Sequence, residues 1–299
     1  MRNLSGYVSG LIILVGINII AVLGVSILTG FTRLFSFGNA GFMAIGAYTS
    51  AILTTRFNVP FLLAILIGAA FAGVMGLGLG KLTLKLKGDY FLITTLGFGE
   101  CTRVLLEFLD PLTGGARGFS GIQPYTTMPI VVGSVIISFI VAWNFLHSKY
   151  GRNLMAIREQ ELAAESVGID VAKFKEISFA MSAIFAGLSG GLFAHYLMFI
   201  SPNMFNLDKS AEFTITVVIG GLGSLTGSLI ATIILTLLPE LLRAVAQYRM
   251  FIYGILVVVI ITLRPSGIMG YKEFSYKAIL KFLPNLWKKR KWPNWKIPS

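Results

Sequence analysis

Glu100, Arg103 and Glu107 lie inside an otherwise apolar run at i, i+3 and i+7 spacing, so a helix carries all three on one face. Ionisable groups within a membrane span are expensive and usually face a cavity or a partner. Two chemistries fit the triad: a polar lining beside a solute path, or an internally neutralised Glu–Arg pair near the outer interface that fixes helix packing, since Arg103 can satisfy both acids. A second polar group fills 151–170 and contains Arg152, Arg158, Glu161, Ala163, Ala164, Glu165, Gly168 and Asp170. The spacing predicts a helix over 154–167 with Arg158, Glu161 and Glu165 on one face. Gly168 stands where a helix C′ residue belongs, and Asp170 is placed to cap the next helix. A polar helix between two apolar runs is either a solvated loop with local ion pairs, each worth about 0.3 kcal/mol, or a docking element for something soluble.

Two glycine-rich segments raise a third possibility. They are Thr94-Thr95-Leu96-Gly97-Phe98-Gly99 and Ile219-Gly220-Gly221-Leu222-Gly223-Ser224. Helices broken at membrane depth present backbone ends that bind both charges of a zwitterionic solute. Glycine also serves simple close packing, and the sequence leaves the two readings open.

Other chemistries find no residues. The single cysteine, Cys101, excludes an intrachain disulfide and any multi-cysteine metal site. His147 and His195 have no ligand partner at metal spacing, so no metal or other cofactor is expected. Gly76-Leu77-Gly78-Leu79-Gly80-Lys81 imitates a phosphate loop, but Met75 occupies the required glycine position and Leu82 replaces the hydroxyl residue after the lysine. With two histidines, one cysteine and few buried carboxylates, no catalytic set is evident, and the chain is not expected to be an enzyme.

These residues sit in a membrane protein. Of 299 residues, 55% are hydrophobic and 13% are charged, and the mean hydropathy is +0.79; a soluble domain carries about 25% charged residues. Apolar runs cover 7–28, 36–53, 61–80, 90–109, 128–146, 177–197, 211–238 and 251–263. The first is too long for a signal-peptide core and reads as a retained span. The expected fold is all-α and polytopic, with about eight to ten transmembrane or re-entrant helices. Its membrane domain covers 1–270, with a soluble loop at 149–175, and a basic Trp-containing tail covers 271–299.

The net charge of +12 concentrates at the end: from Arg264 onward there are nine basic residues and one acid. A basic, Trp-rich segment after the last span reads as lying on inner-leaflet headgroups, with lipid and not nucleic acid as its partner. The positive-inside rule puts the basic stretch 81–87, the loop 149–175 and the tail on the cytoplasmic side. Three crossings between loop and tail break parity. Splitting 211–238 at Gly220–Ser224 restores it, because 211–222 is about 18 Å of helix and too short to cross. Arg2 and Arg33 do not decide the side of the N-terminus.

Four ordered segments carry a family resemblance. The first runs from Ser36-Phe37-Gly38-Asn39-Ala40-Gly41 to Tyr48, and the second from Gly88-Asp89-Tyr90 to Glu100 with the loop Thr113–Gly121. The third is Gly151–Asp170, and the fourth is Ile219–Ser224 with Gly227. Together the chain resembles the membrane permeases of branched-chain amino acid ABC importers. Asn39 stands where many members carry His or Gln.

The resemblance implies a prokaryotic plasma-membrane permease that works with a second permease, two ABC ATPase subunits and an extracytoplasmic substrate-binding protein. ATP hydrolysis would occur on the partner subunits. It implies that Arg152, Arg158, Glu161, Ala163, Ala164, Glu165, Gly168 and Asp170 couple to the ATPase. It also implies a substrate path along Asn39, Thr94, Thr95, Gly97, Gly99, Glu100, Gly220, Gly221 and Gly223. The competing expectation is a stand-alone secondary transporter or channel, which would need buried ionisable groups beyond a self-neutralising triad.

Overall fold

The computed structural model describes residues 2–84, 89–241 and, further on, 254–255, 257–259, 262–263 and 267–270. The expected span at 251–263 lies largely outside these residues, and the tail 271–299 lies wholly outside them. Eleven helices run through the described part. They are α1 (Arg2–Val25), α2 (Asn39–Arg56), α3 (Phe61–Thr83), α4 (Asp89–Phe108), α5 (Asp110–Thr113), α6 (Met128–His147), α7 (Lys149–Glu159), α8 (Glu161–Ser166), α9 (Val171–Leu197), α10 (Leu207–Gly220) and α11 (Leu225–Leu241). Two short strands, β1 (Phe119–Ser120) and β2 (Phe199–Ile200), pair antiparallel and tie the α5–α6 connection to the end of α9.

Among the described residues, four segments are long and apolar enough to cross a bilayer: Gly6–Gly30, Phe61–Thr83, Met128–His147 and Val171–Leu197. Their most apolar windows divide by position. Those of the first and last are 78% and 72% buried, and that of Met128–His147 only 22%. Helices α1 and α9 therefore form the centre, while α6 turns Ile136, Ile137 and Ile140 outward as a lipid face.

Small residues set the centre. In lipid there is no hydrophobic drive between helices, so close backbone packing must supply the attraction. A Cβ on Gly46 would stand 2.1 Å from the carbonyl oxygen of Gly187, and one on Gly187 would stand 2.6 Å from Cβ of Ala72. Helices α2, α3 and α9 thus meet nearly backbone to backbone. The Gly76–Lys81 segment is part of this packing: Gly76 faces Ala183, and Lys81 lies 3.9 Å from Glu176 of α9. Helix α1 is antiparallel to α9, with Gly10 against Tyr196 at one end and Gly24 against Ser182 at the other. It is also antiparallel to α11, to which it is joined by Tyr7–Glu240, Asn18–Thr236 and Ser26–Ser228 side-chain bonds.

Backbone irregularities cluster along one line through the bundle. Helix α1 ends in a π turn, Ser26–Gly30, and residues 33–38 are non-helical before α2 begins. Helix α10 follows a 3-10 turn, Pro202–Phe205, and breaks at Gly221. That break needs glycine, because Gly221 and Gly223 adopt φ of 117° and 102°. The expected split at Gly220–Ser224 is present. A break at Thr94–Gly99 is absent, since α4 runs through it unbroken. There Thr94 and Thr95 bond back to the carbonyls of Tyr90 and Leu92, and Gly99 lies 3.0 Å from where a Cβ of Gly41 would be. Gly99 of α4 serves packing; glycine after α10 makes a turn.

Candidate functional site

The segment after α6 folds as two short helices and not one. Ser148 caps α7, its hydroxyl accepting from the Tyr150 amide at 3.2 Å. Gln160 then adopts φ −156°, ψ 109°, which ends α7 and lets α8 fold back. The reason is burial: Ala164 packs with Ile157 and Val171 in a small core of its own. Gly168 turns the chain at φ 84°, and Asp170 caps α9, accepting from the Lys173 amide at 3.1 Å. Those two expectations hold, but the single helix over 154–167 does not, and Arg158, Glu161 and Glu165 share no face.

Arg158 turns toward the spans. Its side chain is only 11% exposed, its Nη1 lies 3.5 Å from the carbonyl oxygen of Gly30, and its guanidinium is 5.9 Å from the Phe31 ring centroid. Glu161 pairs with Lys175 of α9 at 2.7 Å. Arg152 donates to the carbonyl of His147 at 3.1 Å. Ala163 and Glu165 are exposed. The sequence reading missed Leu162 and Val167, which are 73% and 76% exposed on this polar element. The available signal was that neither belongs to the apolar period of Ile157, Ala164 and Val171.

The expected path residues fall into two groups. Asn39 is fully buried, donating to the carbonyl of Ser36 at 2.9 Å and accepting from the Ser182 hydroxyl at 3.4 Å. Thr95 accepts from the Phe37 amide at 3.2 Å, and Gly99 packs on Phe37 and Gly38. Thr94 is half-buried and Gly97 exposed, with nothing within 4 Å of where its Cβ would be. A tight crevice between Phe37, Ala40, Gly99, Glu100, Asn206 and Ser210 holds no space for water. Gly220, Gly221 and Gly223 lie at the far end of α10, about 21 Å of helix away. They meet Gly30 and the segment 267–270, whose Ile268 and Met269 amides donate to the carbonyls of Ile219 and Gly220.

Arg103 donates to Glu100 at 2.8 Å and Glu107 at 2.7 Å, with Asn203 at 3.2 Å. The triad is thus an ion-paired cluster, with one cation shared by two acids, that pins α4 to the 3-10 turn before α10. Arg103→Met leaves two facing carboxylates and should lower the unfolding free energy by about 1–3 kcal/mol, whereas the neutral triple variant with Glu100→Gln and Glu107→Gln should regain most of that loss. Thermal unfolding in detergent checks the order; a triple variant less stable than Arg103→Met would show that charge repulsion is not the cause. His195 is also structural, with one ring nitrogen 3.0 Å from the Thr54 hydroxyl and the other 2.8 Å from the Gly191 carbonyl.

Charged residues of α10 were also missed. Asp208, Lys209 and Glu212 stand in its first two turns, and Lys209 bonds Glu212 at 2.9 Å. Their i, i+3 spacing at the entrance of an apolar run was the legible signal.

Apolar outer helices, a glycine-packed centre, broken helices and a soluble two-helix element define an all-α polytopic membrane protein. The family described as branched-chain amino acid transport system / permease component matches residues 7–261. The chain is 33% identical over 287 residues to the high-affinity branched-chain amino acid transport system permease protein LivM of Escherichia coli K12, covering 85% of this chain and 68% of that one. It is 27% identical over 237 residues to the ribose import permease protein RbsC of Bacillus subtilis, 74% of each. It is 26% identical over 166 residues to LivH of Escherichia coli K12, the high-affinity branched-chain amino acid permease protein of that name, 54% of this chain and 53% of that one. The chain belongs to the branched-chain amino acid transport permease family and is a membrane transport component. No solved structure matches it.

Proposed function

We propose that this chain is one of two permeases in an ATP-driven ABC importer that carries leucine, isoleucine or valine inward across a prokaryotic plasma membrane. ATP would be bound and hydrolysed on separate ATPase subunits, and a binding protein would deliver the amino acid from outside. The observation that carries this is the α7–α8 element, which exposes Leu162 and Val167 to water and buries Arg158 against the end of α1. Exposed apolar side chains on a polar element ask for a protein cover, and a wired arginine gives that cover a route inward.

The route is short. Arg158 touches Gly30, and the Gly223 amide lies 3.1 Å from where a Cβ of Gly30 would stand. Closure of the ATPase pair would move α7–α8, then the π turn of α1, then the α10–α11 turn. The ATPase drives the change only through its differential contact with the two conformations. In this orientation α7–α8 and Lys81 are cytoplasmic, and the N-terminal end of α1 is extracytoplasmic. The membrane domain is 1–270 with the coupling loop 149–175, and the tail 271–299 lies on cytoplasmic-leaflet lipid. Arg152, Arg158, Glu161, Ala163, Ala164, Glu165, Gly168 and Asp170 build the coupling element. Asn39, Thr95, Gly99 and Glu100 hold the α2–α4–α10 junction beside the path, with Thr94 and Gly97 on the neighbouring face, and Gly220, Gly221 and Gly223 form its moving turn.

The test is uptake of labelled leucine by proteoliposomes holding the chain, its permease partner, the ATPases and the binding protein. Uptake that requires ATP supports the proposal. Uptake driven by a proton gradient without ATP would replace it with a secondary transporter. Ribose is run in parallel, and ATP-dependent ribose uptake without leucine uptake would overturn the substrate.

A further inference from the structure

We propose that the open groove between the 3-10 turn Pro202–Phe205, α10 and α11 is the mid-membrane resting site of a zwitterionic, aliphatic amino acid; this rests on the transport function proposed above. The groove holds about 630 Å³, ample for one such solute. Asn203, Asn206, Asp208, Lys209 and Glu212 line it together with Ile215 of the same helix and Leu235 of α11. Its chemistry is one cation, two acids and two amides beside apolar side chains. Those are the groups needed for a carboxylate, an ammonium and a branched side chain.

Depth makes the charges significant. The Asn39 carboxamide accepts from Ser182, which stands about 8 Å of helix inside one end of the apolar run 177–197 and about 22 Å from the other. One residue further along α2, the Ala40 amide donates to the Ser210 hydroxyl at 2.9 Å. Lys209 and Glu212 flank Ser210 within a turn, so they sit within the apolar depth of the bundle. Charged groups at that depth are costly against lipid and mark a solute path or a polar partner. Lys209, 21% exposed, is among the residues that line the groove, and its ammonium lies over the Phe213 ring, 4.9 Å from the centroid, and 2.9 Å from the Glu212 carboxylate.

Without solute, Lys209 and Glu212 neutralise each other. An entering amino acid exchanges that pair for two: its carboxylate takes Lys209, and its ammonium takes Glu212 or Asp208. No net charge is added at mid-membrane, and the side chain rests on Ile215 and Leu235. Leaving restores the original pair, so the site binds without trapping.

The test uses the assembled importer in proteoliposomes, with leucine transport by the wild-type complex measured first; its failure there would count against the function and not against the groove. Cys101, the sole cysteine, is exchanged for serine, and Ala211→Cys puts a thiol in the groove. A charged, membrane-impermeant methanethiosulfonate reagent should modify it, and leucine delivered by the binding protein should slow that reaction. A thiol that never reacts, because partner permease or lipid fills the groove, overturns the proposal, as does a reaction rate that leucine leaves unchanged. The exchange Lys209→Glu with Glu212→Lys keeps an ion pair but reverses its polarity. It should lower leucine uptake about tenfold or more while ATPase stimulation by the binding protein persists. Uptake at the wild-type rate would make the pair purely structural and overturn the site.

Discussion

Replacing Leu162 and Val167 together with aspartate should strip the ATPase subunits from the complex while the spans stay folded. Both side chains are more than two-thirds exposed, so the substitutions remove no packing within the chain. Whatever they contribute lies in contact with a partner. Covering a Leu or Val side chain is worth about 1.5–3 kcal/mol, so two of them amount to roughly 3 kcal/mol, or about a hundredfold in affinity. Aspartate adds an unpaired charge to the same surface. Glu161→Ala should do much less, because Glu161 is half exposed and already paired with Lys175; such a pair contributes about 1 kcal/mol or less. Pull-down on a tagged permease, with thermal unfolding alongside, separates these outcomes. Full ATPase content in the Leu162/Val167 variant, with Glu161→Ala losing it, would return the interface to the acidic residues of the resemblance.

Much of the bundle was legible in the sequence because most apolar runs come close to the roughly 20 residues that a crossing needs and are separated by segments containing Gly, Pro or charge. The runs at 61–80 and 128–146 became α3 and α6 with ends shifted by no more than three residues. The break after α10 was legible from helix length, since a segment too short to cross must turn. The matching glycines of α4 were not distinguishable from it by sequence. The difference lies in neighbours: Gly99 meets Gly41 and Phe37 of another segment, whereas Gly221 and Gly223 adopt backbone angles that side chains resist. The two-helix form of 149–166 was hidden for a similar reason. Its periodicity suits one helix, and only the burial of Ala164 against Val171, residues beyond the predicted helix included, favours the extended Gln160. The residues expected to couple fall in and around one two-helix element, but the directions of their side chains were not legible. Arg158 points inward because the carbonyl of Gly30 at the π turn of α1 has a free approach, a feature no local pattern encodes.

Gly190→Ala should unfold the bundle, whereas Gly78→Ala should leave it intact or strengthen it. The two glycines are alike in sequence context, both lying in apolar helices rich in small residues. They differ in what a methyl group meets. At Gly190 a Cβ would stand 1.9 Å from the carbonyl oxygen of Met43, 2.8 Å from its carbon and 3.0 Å from the Ala47 amide nitrogen. All three are backbone atoms of α2, so no side chain can rotate away. Relief requires α2 to move off α9, which would also loosen the neighbouring Gly46–Gly187 contact that holds the same pair. Overpacking typically costs 1–3 kcal/mol where side chains yield; here the backbone must yield, and the expected loss is about 3 kcal/mol or more. At Gly78 nothing lies within 4 Å, and alanine adds helix propensity worth about 1 kcal/mol. Fluorescence-detected size exclusion after a heating series reads both. Equal melting of Gly190→Ala and Gly78→Ala would mean that α2 and α9 do not meet through glycine. The close packing that places Asn39 beside Ser182, and with it the depth of the α10 charges, would then have to be redrawn.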